Sequence, residues 1–148
     1  MNDAFMPQIN LDGFQVVRGT YFTHQAPPSL TIWDKAISFN CVSYQMLNNC
    51  ECIQIMCNDA NRSILVCPAA QKDSDSVVWK RHNADPPKYR KIECANFSKP
   101  LLERWQLDLR YRYRATGRLV QADKKVMLLF DFRTAEVWDG KGLVKNYG

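Results

Sequence analysis

Between Leu109 and Arg114 the chain reads Leu-Arg-Tyr-Arg-Tyr-Arg, a strict two-residue alternation of cation and ring. Successive side chains of an extended strand point to opposite faces. The pattern therefore predicts a strand from Leu107 to Arg114 with Arg110, Arg112 and Arg114 on one face. Leu109, Tyr111 and Tyr113 take the other face, toward a core. Consecutive arginines on such a strand stand about 6.6 Å apart, comparable to the spacing of phosphates along an extended backbone. A guanidinium suits that partner because it can hold a phosphate through two parallel hydrogen bonds. Arg118, past an expected turn at Thr116-Gly117, and Lys124 and Lys125 extend the row. The competing reading is a solvated face over a tyrosine-packed core.

Charge supports the first reading. The chain is +5 overall, with 20 lysines and arginines against 15 carboxylates. Residues 1–78 hold four basic residues against seven acidic ones, which is −3; residues 79–148 hold sixteen against eight, which is +8. All of that excess lies between Trp79 and Lys125. A second basic run, Lys80, Arg81, Lys88, Arg90 and Lys91, is interleaved with Trp79, His82 and Tyr89. Cations beside rings suit combined backbone contact and base stacking. They also suit a carboxylate-rich protein surface.

Elsewhere the chain reads as short strands and two helices. Residues 1–28 form an arm, with an edge strand around Phe14 to Phe22. Leu30–Trp33 and Ala36–Phe39 make a hairpin around Asp34-Lys35. Asn40 caps a helix from Cys41 to Asn48 that buries Val42, Met46 and Leu47. Strands follow at 51–57 and 63–67, ended by Pro68, and then a linker at 69–76. Val77-Val78-Trp79 starts another strand and Arg90–Cys94 is the next. Ser98 caps a second helix with Pro100 in its first turn. Strands at 119–122, 126–132 and 135–138 complete the set, and the end from Asp139 is frayed. The fold class is α+β, a small, mainly antiparallel sheet or barrel in a single domain, 1–148. Strand–helix–strand–strand occurs twice, at about 37–66 and 90–132, within sub-repeats 29–68 and 77–138. Internal duplication and accidental alternation in a small α+β domain both produce that order.

At 148 residues, 46% hydrophobic and 24% charged, the chain is long enough to bury a core. Its longest apolar run, Val126–Phe130, is far short of a membrane span. Nothing at the start reads as an export signal, so a cytoplasmic location with free thiols is expected for Cys41, Cys50, Cys52, Cys57, Cys67 and Cys94. Their spacing lacks the paired pattern of a zinc site, and no metal or cofactor is expected. His24 and His82 lie in no recognisable motif, and phosphate-loop and nucleophile-elbow signatures are missing, so no enzymatic activity is expected.

Ile37-Ser-Phe-Asn-Cys-Val-Ser-Tyr-Gln-Met-Leu-Asn-Asn, then Cys52-Ile-Gln-Ile and Ser63-Ile-Leu-Val-Cys-Pro68, resembles the AbrB/MazE swapped-hairpin family of DNA-binding proteins. Phe39, Leu47, Ile53, Ile55, Ile64, Val66 and Pro68 occupy its apolar slots. Asn40 stands where that family usually has proline, and this copy is acidic, so no functional residue carries over. With the second copy, the resemblance implies one chain folding as its own pseudo-dimer. Two functions follow as expectations. One is a small nucleic-acid-binding protein, DNA before RNA, such as a DNA-binding regulator. The other is a protein-binding module or inhibitor, phage or mobile-element encoded, that docks a basic face on an acidic partner.

Overall fold

The computed structural model describes residues 6–18, 26–79 and 91–145, with side chains to Gly142. Its ten strands are β1 (Ser29–Ile32), β2 (Ala36–Phe39), β3 (Cys52–Asn58), β4 (Ser63–Ala69), β5 (Val77–Val78), β6 (Lys91–Glu93), β7 (Arg112–Ala122), β8 (Lys125–Asp131), β9 (Glu136–Asp139) and β10 (Gly142–Lys145). Two α-helices, α1 (Cys41–Met46) and α2 (Ala95–Arg104), interrupt them, and a 3₁₀ turn spans Phe132–Thr134. Eight strands pair in the order β5-β3-β4-β8-β7-β1-β2-β6, curled into a half-barrel; β9 pairs with β7, and β10 with β9. Every pairing is antiparallel.

Alternation sets what lies inside the curl. Leu30 and Ile32 of β1, Ile37 and Phe39 of β2, Ile53 of β3, Ile64 and Val66 of β4, and Leu128 and Phe130 of β8 are all buried. Trp79, directly after β5, is fully buried; its ring meets Phe39 edge-on at 5.0 Å and lies 4.3 Å from Tyr44. Helix α2 contributes Leu101 and Leu102, and Trp105 at its end packs 5.6 Å from Phe132. One hydrophobic cluster thus draws on both halves of the chain.

The β1–β2 hairpin forms around Trp33-Asp34-Lys35 as expected, and Asn40 caps α1: its Oδ1 accepts from the Ser43 amide at 3.2 Å. The same Oδ1 accepts from the Ser29 amide at 3.0 Å, tying the helix start to β1. Helix α1 is shorter than expected. It buries Ser43 and Tyr44 ahead of Leu47, while Val42 and Met46 are only half-buried. The reason is the Ser43 hydroxyl, 2.8 Å from Asn40 Oδ1 and 3.3 Å from Ser29 O, which draws that face inward.

Other expectations are corrected. Pro68 does not end β4. It pairs opposite Ile53, and it is tolerated because the β4–β8 ladder stops at Val66. Helix α2 starts at Ala95, so Ser98 is not its cap; the serine is buried, and its hydroxyl lies 3.1 Å from both Cys94 O and Asp34 O. Pro100 lies inside the helix. Over 14–18, the described part of the expected edge strand, no strand forms and Phe14 instead closes a turn onto Leu11; residues 19–22 of that expectation lie outside the described residues. The tail is not frayed at Asp139, because Asp139 Oδ1 accepts from the Lys141 and Gly142 amides at 2.7 and 2.9 Å and turns the chain into β10.

The largest correction concerns β7. Instead of two strands around a turn at Thr116-Gly117, a single eleven-residue strand runs from Arg112 to Ala122. Gly117 serves closeness, not turning: a Cβ there would lie 2.6 Å from Phe130 Cε1. The turn into β8 falls at Asp123 and Lys124, both at positive φ (49° and 65°), as a two-residue hairpin loop requires.

Strand–helix–strand–strand does recur in element order, as β2-α1-β3-β4 and β6-α2-β7-β8. Among the described residues no helix is long and apolar enough to cross a membrane.

Candidate nucleic-acid interface

Cross-strand partners share a face, so the registers fix what the outer surface carries. One row runs Lys91 (β6), Ser38 (β2), Thr31 (β1), Arg114 (β7), Glu136 (β9). In the next row Arg112 faces Trp138 on β9, while Trp33, just past the Ile32–Tyr113 pair, lies on its other side. The Arg112 guanidinium sits 4.2 Å over the Trp33 ring. Arg112, Arg114, Thr31, Trp138, Asp139 and Gly140 line a cleft of about 440 Å³.

Arg112 and Arg114 are therefore brought to one face as the alternation predicts, with Tyr113 buried behind them, and strand register adds Lys91 to that face. Arg110 is not in the row. Residues 107–111 precede the strand, and Asp108 captures Arg110 locally: Oδ1 accepts from the Arg110 amide at 2.9 Å, and the guanidinium reaches Oδ2 at 2.8 Å. The Tyr113 hydroxyl donates to Asp108 O at 2.8 Å and pins this turn. Hydrogen bonds from Arg110 hold the Asp108 carboxyl below its ordinary range.

Arg118 projects from the same strand face, but about 13 Å further along it. It lines a second surface hollow with Met56, Leu65, Leu129, Asp131 and Arg133. Lys124 and Lys125 are exposed at the far hairpin, more than about 25 Å from Arg114 by strand rise. They do not join the cleft. Lys80, Arg81, Lys88 and Arg90 lie outside the described residues.

Carboxylates temper this face, one from the neighbouring strand β9 that the one-dimensional pattern hid and one from β6 itself. Glu136 lies 3.9 Å from Arg114, and Glu93 3.8 Å from Lys91. Arg104 and Arg133 are likewise paired, with Asp59 at 2.9 Å and Asp131 at 2.7 Å. Arg112 has no ion pair among the described residues; its partner is the Trp33 ring. The phosphate row thus contracts to two arginines flanked by two indoles. Trp33 and Trp138 were missed as site residues. Strand parity hints that each points outward, but only the register sets both beside Arg112.

A second polar cluster is structural. Asp59, in the β3–β4 turn, accepts from Arg104 Nε at 2.9 Å, Trp105 Nε1 at 2.8 Å and the Cys57 thiol at 3.2 Å, clamping that turn to the end of α2. The Arg104 hydrogen bond, then those from Trp105 and Cys57, lower the Asp59 carboxyl from 3.8 to about 2. Desolvation of the sulfur and the Asp59 hydrogen bond push the Cys57 thiol up to about 11, so it is no thiolate nucleophile at neutral pH. A carboxyl depressed on folding contributes stability that is present above its unfolded pKa, near 3.8, and is lost as pH falls toward 2. Urea midpoints should accordingly drop between pH 4 and pH 2. Asp59→Asn should make that drop shallower; an unchanged slope would mean the clamp is not formed.

No protein-family model matches the chain, and no curated protein or solved structure matches it either.

Proposed function

We propose that the protein is a small, non-enzymatic nucleic-acid-binding protein that contacts phosphate through the outer face of β7, in the manner of a DNA-binding regulator. The observation that carries this reading is Arg112. It is an exposed guanidinium with no carboxylate partner among the described residues, stacked on Trp33 and next to Arg114 on the same strand face. Stacking on a ring leaves the in-plane donors of a guanidinium free for an anion. Lys91 extends the face by way of Ser38 and Thr31.

The test is Arg112→Ala combined with Arg114→Ala. Both positions are exposed, so each should alter stability by about 0.5 kcal/mol or less. Affinity for DNA at low salt should fall, and the plot of log affinity against log salt should flatten by about 0.9 per lost contact on duplex or 0.7 on single strand. If the unaltered protein binds neither DNA nor RNA at low salt, this reading is overturned and an acidic protein surface becomes the partner.

We also infer that the two strand–helix–strand–strand units descend from a duplication, as the swapped-hairpin resemblance implies. Pairing symmetry supports it. β4 pairs with β8 and β2 with β6, each strand with its own counterpart, while β1 crosses to β7 and β5 pairs with β3. The basic face belongs to the second unit alone: Cys52 and Gln54 of β3 occupy the strand that corresponds to β7.

A further inference from the structure

We propose that the cleft between β7 and the β9–β10 turn takes one nucleotide of a single strand, with an amino-bearing base stacked on Trp138 and its phosphate held by Arg112 and Arg114. The inference rests on the nucleic-acid reading above and narrows it. Three features of the cleft carry it.

The first is size. About 440 Å³ falls within the range that accommodates a small molecule, whereas a duplex is far too wide to enter. The second is the ring. Trp138 lines the cleft, and its Nε1 is buried without a hydrogen-bond partner among the described residues, so a ligand meets ring carbon. A base can lie on such a ring only when it is splayed from its neighbours, which single strands permit and duplexes oppose.

The third feature is the acceptor. Asp139 Oδ1 is engaged by the Lys141 and Gly142 amides, which fixes the carboxylate at the cleft rim, while Oδ2 has no partner among the described residues. Glu136, two residues before Trp138 on the outer face of β9, places a second carboxylate beside Arg114. Two carboxylates beside two guanidiniums oppose a continuous ladder of phosphates. They suit a nucleotide, which presents an anion at one end and, in cytosine, adenine or guanine, an exocyclic amine at the other. Uracil and thymine lack that amine and flank their one N–H with carbonyl oxygens that a carboxylate repels.

The experiment is fluorescence anisotropy of end-labelled (dC)10, (dT)10 and a ten-base-pair hairpin duplex with the full chain at low salt. The expected order is (dC)10 tightest, then (dT)10, with the duplex weakest. Trp138→Ala should weaken (dC)10 by roughly 5- to 150-fold, the range for one lost stack, and Trp138→Phe should restore most of it. Asp139→Asn should bring (dC)10 and (dT)10 together without weakening (dT)10.

Duplex binding equal to or tighter than (dC)10 overturns the single-strand assignment and leaves the nucleic-acid reading standing. Single strands that bind a folded Trp138→Ala chain as tightly as the parent move the site away from this cleft. No binding of any probe removes both readings together.

Discussion

Trp79→Ala should cost about 3–5 kcal/mol, the range for deleting a buried tryptophan. That is a large share of the roughly 5–15 kcal/mol by which a domain of this size is stable. The residue is fully buried. Its ring packs against Phe39 of β2 and Tyr44 of α1, and its Nε1 donates to Cys50 O at 2.7 Å. Its own amide donates to Glu51 O at 3.1 Å, so backbone and ring are fixed by the same loop before β3. Little can collapse into the space, because Phe39 is itself held by Phe130 at 5.9 Å. Urea unfolding followed by circular dichroism measures the loss. A change under about 1 kcal/mol would mean that Trp79 does not occupy the core.

Gly117→Ala should destabilise by about 1–3 kcal/mol, the usual cost of overpacking. Alanine elsewhere in a strand is unremarkable, but here the added carbon would meet Phe130 Cε1 at 2.6 Å, Cδ1 at 2.8 Å and Leu129 O at 3.1 Å. Phe130 is fully buried against Phe39 and cannot swing aside, and Leu129 O is backbone. Gly140→Ala, with nothing within 4 Å of the new carbon, is the matched control and should be nearly neutral. Phe130→Leu on the Gly117→Ala background should recover part of the loss, the coupling expected of residues in contact. Equal stability of the two glycine variants would contradict the close crossing.

Local chemistry was legible in the sequence wherever it acts over a few residues. Asn40 as a cap, the hairpin around Asp34-Lys35 and the burial of Tyr113 behind Arg112 and Arg114 all depend on neighbours within a turn or a strand. Gly117 misled because the ring that requires it comes from Phe130, thirteen positions on across a hairpin. Ser98 misled for a similar reason: its second partner is Asp34 O, 64 residues away. Arg110 is different, since Asp108 two residues earlier is the ordinary setting for a side-chain-capped turn and could have broken the arginine row. At the site, alternation could place Arg112 and Arg114 on a face but could not supply Trp33 and Trp138 beside them or Glu136 against Arg114. Those come from strands far apart in sequence, and pairing register alone brings them together.

The β4–β8 pairing has a consequence for the half-made chain. The edge of β4 from Ser63 to Val66 is covered only by Leu128–Asp131, which leave the ribosome about 60 residues later, several seconds at ordinary rates of synthesis. Through that interval the β3–β4 hairpin presents an open ladder beside Ile64 and Val66, a template for any passing strand. The nascent polypeptide, more than the finished protein, is thus the form exposed to aggregation, and demand for a chaperone falls away once β8 arrives.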